Sequence, residues 1–152
     1  MACILNREIM RLLGLDYGSK TVGVAVTDPL GLTAQGLEII RRKHPVKLRK
    51  TIARIKQLIE EYDIEKIVLG LPLNLDGTSG DRVEKTKMFA ELLKAKTGLE
   101  IEFEDERLTT IEAQEILIDL GKSEEEWDEY IDMVAAVIIL EQYMASNTSE
   151  QE

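Results

Sequence analysis

The chain has 152 residues, of which 29 are Asp or Glu and 19 are Lys or Arg, for a formal charge of −10. That length suits one domain around a single core; the lone cysteine, Cys3, excludes an intramolecular disulfide, and no apolar run approaches the roughly 20 residues that span a bilayer. The acidic balance is the wrong sign for a general nucleic-acid binder, and the N-terminus lacks a basic stretch followed by an apolar one, so a cytoplasmic protein with no membrane partner is expected.

Residues 1–9 read as an N-terminal extension, with Met10 itself able to initiate. An apolar run from Leu12 to Leu15 then ends in Asp16, and after Gly18 a β-rich run from Val22 to Thr27 returns: the pattern of a hairpin. An Asp-x-Gly is ordinarily a turn. This one closes an apolar strand, where a carboxylate costs several kcal/mol unless it is paired or metal-bound, and Gly18 admits close approach. Asp16 is therefore read as a ligand site for a metal or a phosphate. The turn Asp28-Pro29-Leu30-Gly31 leads to a third strand, Leu32 to Ile40, with Gly36 as a candidate bulge.

Between 41 and 56 lie Arg41, Arg42, Lys43, Lys47, Arg49, Lys50, Arg54 and Lys56, with no acid among them. A one-signed patch on an oppositely charged protein sets a local potential that steers ligands; a solvated helix face is the plainer alternative. Pro45 is placed as the first residue of a helix whose inner stripe is Leu48, Ile52, Ile55, Ile59 and Tyr62. Lys66 to Leu69 has the wholly apolar pattern of a central parallel strand. The loop Gly70 to Gly80 follows at its carboxyl end, where α/β sheets bind ligands, and exceeds the usual length of a connection.

Ser79 is expected to cap a helix from about Asp81 to Lys96, with Val83, Phe89, Ala90, Leu92 and Leu93 inside and Gly98 as its stop. Glu100 to Glu104 alternates acid and apolar residues, as an edge strand does. Thr109 with Glu112 forms a capping box for a helix through Ile111, Ile116, Leu117 and Leu120, stopped by Gly121. Ser123 with Glu126 forms a second box. The last helix is expected to run to about Ala145, and residues 146–152 read as a disordered polar tail. The fold class is α/β: a mixed five-stranded sheet, an antiparallel three-strand meander plus a parallel βαβαβ half, covered by helices, in one domain over residues 10–145.

Asp132 shares its helix face with Ala135, Ala136 and Ile139, a face that should be buried. Asp16, Glu106 and Asp132 thus come from three separate elements, which is how oxygen ligands for magnesium or manganese are supplied. His44 and Cys3 cannot make a zinc set, and Ser19 has no motif-placed His partner.

Four blocks carry a family resemblance: Gly14-Leu15-Asp16-Tyr17-Gly18; Val68-Leu69-Gly70-Leu71-Pro72-Leu73-Asn74 with Asp76-Gly77-Thr78; Asp105-Glu106-Arg107-Leu108-Thr109-Thr110; and Ile131-Asp132-Met133-Val134-Ala135-Ala136. In this order they are highly specific, and over roughly residues 11–144 the chain resembles the YqgF (RuvX) family of pre-16S rRNA nucleases. The resemblance implies a ribonuclease H-like fold related to Holliday-junction resolvases. It implies Asp16, Glu106 and Asp132 as the catalytic, metal-binding acids, with Mg2+ or Mn2+ as cofactor. It also implies phosphodiester hydrolysis in structured RNA and a part in maturing the 5′ end of pre-16S rRNA. Two ions about 4 Å apart would activate water and stabilise the leaving oxygen. Lys20 and Arg107 are the sequence candidates for neutralising the phosphate, with Thr109 and Thr110 as donors to it. Arg49, Lys50 and Arg54 would grip the nucleic-acid backbone without reading sequence. The acidic run Glu124 to Glu129 departs from the basic residues that the family pattern carries there.

Three other readings stand beside this one. Branched DNA could replace RNA as substrate, as for a Holliday-junction endonuclease. The chain could be a non-catalytic nucleic-acid or transcription-associated binding module. Asp16 to Lys20 also resembles the phosphate loop of actin-like ATPases, although those duplicate the core and 152 residues hold one copy. Monomer and homodimer are both compatible with the sequence.

Overall fold

The computed structural model describes residues 9–74, 76–107 and 109–151. All but Ile9 of the N-terminal extension lies outside the described residues. Three antiparallel strands come first: β1 (Leu12–Tyr17), β2 (Thr21–Thr27) and β3 (Ala34–Arg41). Helix α1 (Arg49–Glu61), β4 (Lys66–Leu71), α2 (Asp81–Thr97), β5 (Glu100–Asp105), α3 (Thr109–Asp119) and α4 (Glu124–Gln151) follow. The sheet order is β3-β2-β1-β4-β5, with β4 parallel to both β1 and β5. The meander, the parallel half and the edge position of β5 are as the sequence pattern indicates. Val24 sits opposite Glu38 and Ala25 opposite Gly36, which leaves Leu37 as the extra residue of a bulge beside Gly36.

Strand alternation sorts the core into two layers. Leu13 and Leu15 join Ile52, Ile55, Leu58, Phe89 and Leu93 on the side covered by α1 and α2. Leu12, Ala25 and Val68 join Ala136, Ile139 and Leu140 on the side covered by α4. Asp16, in phase with Leu12, therefore faces α4. Opposite it in register is Gly23. A Cβ at Gly23 would lie 1.9 Å from the Asp132 carbonyl oxygen, so the backbone of α4 rests directly on β2. Only glycine permits that approach, and it is what brings Asp132 down to the sheet.

Several local expectations are corrected. Pro45 does not begin a helix. It holds the second position of a turn closed by Lys47 N–H donating to the His44 carbonyl at 3.2 Å, and α1 begins at Arg49. Gly80, not Ser79, is the N-cap of α2; its carbonyl accepts from Val83 and Glu84 at 3.1 and 3.3 Å. On α2, Leu92 is 37% exposed, while Thr86 is buried and donates back to the Arg82 carbonyl. On α3 the buried residues are Thr109, Ala113 and Leu117; Ile111, Ile116 and Leu120 are exposed, because α3 packs chiefly against α4 and has one inner face. The last helix continues past Ala145 to Gln151, as no Gly or Pro interrupts its hydrogen-bond ladder. Half of the Ser123 box forms: the Ser123 N–H donates to Glu126 Oε2 at 3.0 Å, while the Glu126 N–H donates to the Ser123 carbonyl at 2.9 Å.

Candidate active site

Three carboxylates meet where the parallel strands end. Asp16 lies near the end of β1. Glu106 follows β5, its N–H donating to the Leu71 carbonyl and its own carbonyl accepting from Thr109, each at 3.1 Å. Asp132 enters from α4. A Cβ at Gly70 would lie 2.7 Å from Glu106 Oε2, so the bare β4 backbone lets Glu106 fold across it toward Asp16. Thr21 Oγ1 donates to Asp132 Oδ2 at 2.5 Å. The result is a cavity of about 370 Å³ lined by Asp16, Glu106 and Asp132, by Arg82, Arg107 and Thr110, and by a fourth acid, Asp81, beside Gly80 at the start of α2, with the Pro72–Asn74 stretch of the 70–80 loop along one wall.

Burial pushes the Asp16 carboxyl up to about 6, with a hydrogen bond from Glu106 opposing the rise, the Asp132 charge adding to it and the Arg82 guanidinium opposing it. Burial pushes Glu106 further, to about 9, aided by the Asp16 charge and by the hydrogen bond in which Glu106 keeps the proton. The pair therefore holds a proton at neutral pH, in the hydrogen bond between Glu106 and Asp16. Clustered acids in a poorly solvated cleft cannot all ionise without an added positive charge.

Among the described residues, no set of three or more His, Cys, Asp or Glu side chains is arranged to hold a metal ion. Asp16 and Glu106 are instead hydrogen-bonded to each other, and one oxygen of Asp132 accepts from Thr21. The donor chemistry nonetheless fits a hard divalent cation, being all oxygen and short of positive charge where that proton sits.

The structure gathers Asp16, Glu106, Asp132, Arg107 and Thr110 around the cavity; Lys20 and Thr109 do not line it. Lys20 is exposed on the β1–β2 turn. Thr109 is buried, and among the described residues its Oγ1 has no hydrogen-bond partner, so it does not close the expected capping box. Arg107 is braced by Asp105, Nε at 2.8 Å from Oδ2 and its N–H at 3.0 Å from Oδ1. Arg49 and Lys50 are exposed on the first turn of α1. Arg54 is held by Glu38 through two hydrogen bonds of 3.0 and 2.7 Å. Arg41 pairs with Thr21 in the sheet, so the basic segment leaves β3 at the end where Asp16 lies. Arg42, from the same basic run, is buried: its Nη2 donates to the Gly18 and Ser19 carbonyls at 2.6 Å, and its guanidinium lies over Tyr17.

Two contributors escape a reading of the sequence. Thr21 carries no motif. Arg82 does leave a trace, a cation in the first turn of a helix, where acids are favoured.

A mixed five-stranded sheet of this order, covered by helices on both faces, is the ribonuclease H-like fold. Among solved structures, Thermus thermophilus RuvC in complex with a Holliday junction substrate matches with a TM-score of 0.58 at 14% identity, covering 91% of this chain and 96% of that one. The fowlpox virus Holliday junction resolvase matches with a TM-score of 0.54 at 16% identity, covering 90% and 99%. Residues 10–146 match the model of the RuvX family, described as Holliday junction resolvase, and the chain belongs to that family. A relative from Agathobacter rectalis named "Putative pre-16S rRNA nuclease" is 53% identical over 135 residues, 89% of this chain and 94% of the relative. Among the described residues no helix is long and apolar enough to cross a membrane.

Proposed function

We propose that the protein is a cytoplasmic nuclease that hydrolyses phosphodiester bonds in structured RNA, at the 5′ end of pre-16S rRNA, using Mg2+ or Mn2+ held by Asp16, Glu106 and Asp132. The observation that carries this reading is the convergence of those three carboxylates in one cavity at the strand ends. The name borne by the 53%-identical relative supports the substrate.

When bound, a divalent metal supplies a Lewis acid for the phosphate and an acidified water as nucleophile. The chain's own residues prepare that chemistry. Asp16, Glu106 and Asp132 would hold the ion, and its positive charge would favour the ionised form of Glu106 beside Asp16. Thr21 fixes Oδ2 of Asp132, and Asp132 lines the cavity. Thr110, on the wall, supplies a donor for phosphate oxygens, and Arg107, braced by Asp105, supports the wall itself. The exposed basic residues Arg49 and Lys50, on the segment that leaves the sheet beside Thr21, hold the RNA backbone beyond the cleavage point.

The RuvX family description favours a second reading, cleavage of branched DNA. Both are tested by incubating the purified chain with a 5′-extended RNA hairpin and with a four-way DNA junction, each with Mg2+, Mn2+ or chelator. Metal-dependent cutting of the RNA is the expected result. Cutting of the junction alone replaces RNA with DNA, and tight binding without cutting of either substrate replaces the nuclease with a binding module.

A further inference from the structure

Among the described residues two guanidinium groups line the cavity, and they are in different states. Arg107 is committed: Asp105 braces it, and its Nη1 lies 3.1 Å from where a Cβ at Gly77 would stand, so the 70–80 loop packs against it. Arg82 makes no side-chain hydrogen bond and no ion pair among the described residues, is exposed on the first turn of α2, and is still close enough for its charge to act on both Asp16 and Glu106. Helix stability does not explain its position, because a cation at a helix N-terminus opposes the macrodipole. The scaffold beneath it is firm. Val83 and Phe89 on the same helix are fully buried, and Asn74 ties the preceding loop together by donating to Thr78 Oγ1 at 2.9 Å.

From this geometry, and resting on the nuclease reading above, we propose that Arg82 is the site's phosphate receptor. Its guanidinium takes the non-bridging oxygens of the scissile phosphodiester while Arg107 holds the loop that forms the wall. A planar guanidinium with uncommitted donors in a cavity lined by four acids, Asp16, Asp81, Glu106 and Asp132, is suited to this. It draws a polyanion toward carboxylates that would otherwise repel it, and it can bond two oxygens of one phosphate at once. Lys20, the candidate by sequence proximity to Asp16, lies off the cavity.

The test is equilibrium binding of a fluorescein-labelled, 5′-extended RNA hairpin by anisotropy over a range of salt concentrations, with Mg2+ and with chelator. It is run on the wild-type chain and on Arg82→Gln, Arg82→Lys and Lys85→Gln, with melting temperature and cleavage rate measured in parallel. Lys85 is exposed on the same helix and lies off the cavity, so it controls for net charge. Arg82→Gln should reduce the slope of log K against log salt by about 0.7–0.9, the value of one phosphate contact, with an unchanged or higher melting temperature. Arg82→Lys should restore the slope but only part of the cleavage rate, and Lys85→Gln should leave both as in wild type. Equal slopes for Arg82→Gln and wild type overturn the proposal, whatever the cleavage rates do. If the slope falls but no variant, wild type included, cuts RNA or junction DNA, the phosphate receptor stands and the nuclease reading falls. If the wild-type chain binds neither nucleic acid, both fall.

Discussion

Thr21 Oγ1 donates to Asp132 Oδ2 at 2.5 Å, joining β2 to α4 across 111 positions of sequence. Thr21 begins the strand that pairs with β1, so one hydrogen bond ties the helix acid to the hairpin that carries Asp16. Replacing Thr21 with Val keeps the shape and removes the donor. Cleavage should fall by roughly 10–100-fold, the usual effect of losing a group that orients a ligand. Thr21→Ser should recover most of the rate. A Val variant that cuts at the wild-type rate would show that Asp132 needs no such support.

Gly23 tests how closely α4 must sit on the sheet. An added methyl would meet the Asp132 carbonyl at 1.9 Å, a contact with backbone that cannot rotate away. Gly23→Ala should destabilise the fold by about 1–3 kcal/mol or more. It should also depress activity further than the fall in folded fraction explains, since lifting α4 moves Asp132. Thermal melts together with cleavage rates at a permissive temperature separate the two effects.

The paired acids predict an unusual pH dependence in chelator. Asp16 and Glu106 are raised from 3.8 and 4.5 to about 6 and about 9, so the folded state binds more protons than the unfolded state in that range. The stability contributed by this pair is then fully present below about pH 4 and is lost as pH rises toward 9, by on the order of a few kcal/mol. Glu106→Gln, which keeps a neutral donor beside Asp16, should flatten the decline, and saturating Mg2+ should do the same to the wild type. Melting temperatures across this range decide it, and a wild-type curve that rises with pH would contradict the shared proton.

The basic segment divides into two kinds of residue. Arg49 and Lys50 are exposed, whereas Arg54 is engaged by Glu38 and Gln57. Arg49→Gln and Lys50→Gln should weaken RNA binding for all sequences alike, each lowering the salt slope by about 1. Arg54→Gln should change binding much less. An Arg54 variant that loses as much affinity as the other two would return that residue to the nucleic-acid face.

Hydrophobic period and turn chemistry made the sheet legible. Leu12–Leu15, Val22–Thr27 and Lys66–Leu69 alternate or run apolar as their burial demands, and glycines 98 and 121 close their helices with φ of 72° and 78°. The three acids were legible because each interrupts an apolar context or a recognisable block. Features set by contacts distant in sequence were not. Pro45 satisfies the rules for a turn and for a helix start equally well, and the choice follows from where β3 delivers the chain. The inward faces of α2 and α3 depend on which neighbours they have. Arg82 and Thr21 become part of the site only when the β4–α2 connection and the β2 register place them there.

The most direct test is the cleavage rate of a 5′-extended RNA hairpin by wild type, Asp132→Asn and Asp128→Asn, first in chelator and then with Mg2+ or Mn2+ restored. Asp128 is exposed one helical turn before Asp132, so the pair separates the site from a general loss of charge on α4. The account predicts no cutting by any of the three in chelator. With metal restored, wild type and Asp128→Asn should cut alike, and Asp132→Asn should be slower by orders of magnitude while its melting temperature in chelator holds or rises. Undiminished cutting in chelator, or a stable Asp132→Asn chain that cuts at the wild-type rate, would contradict it.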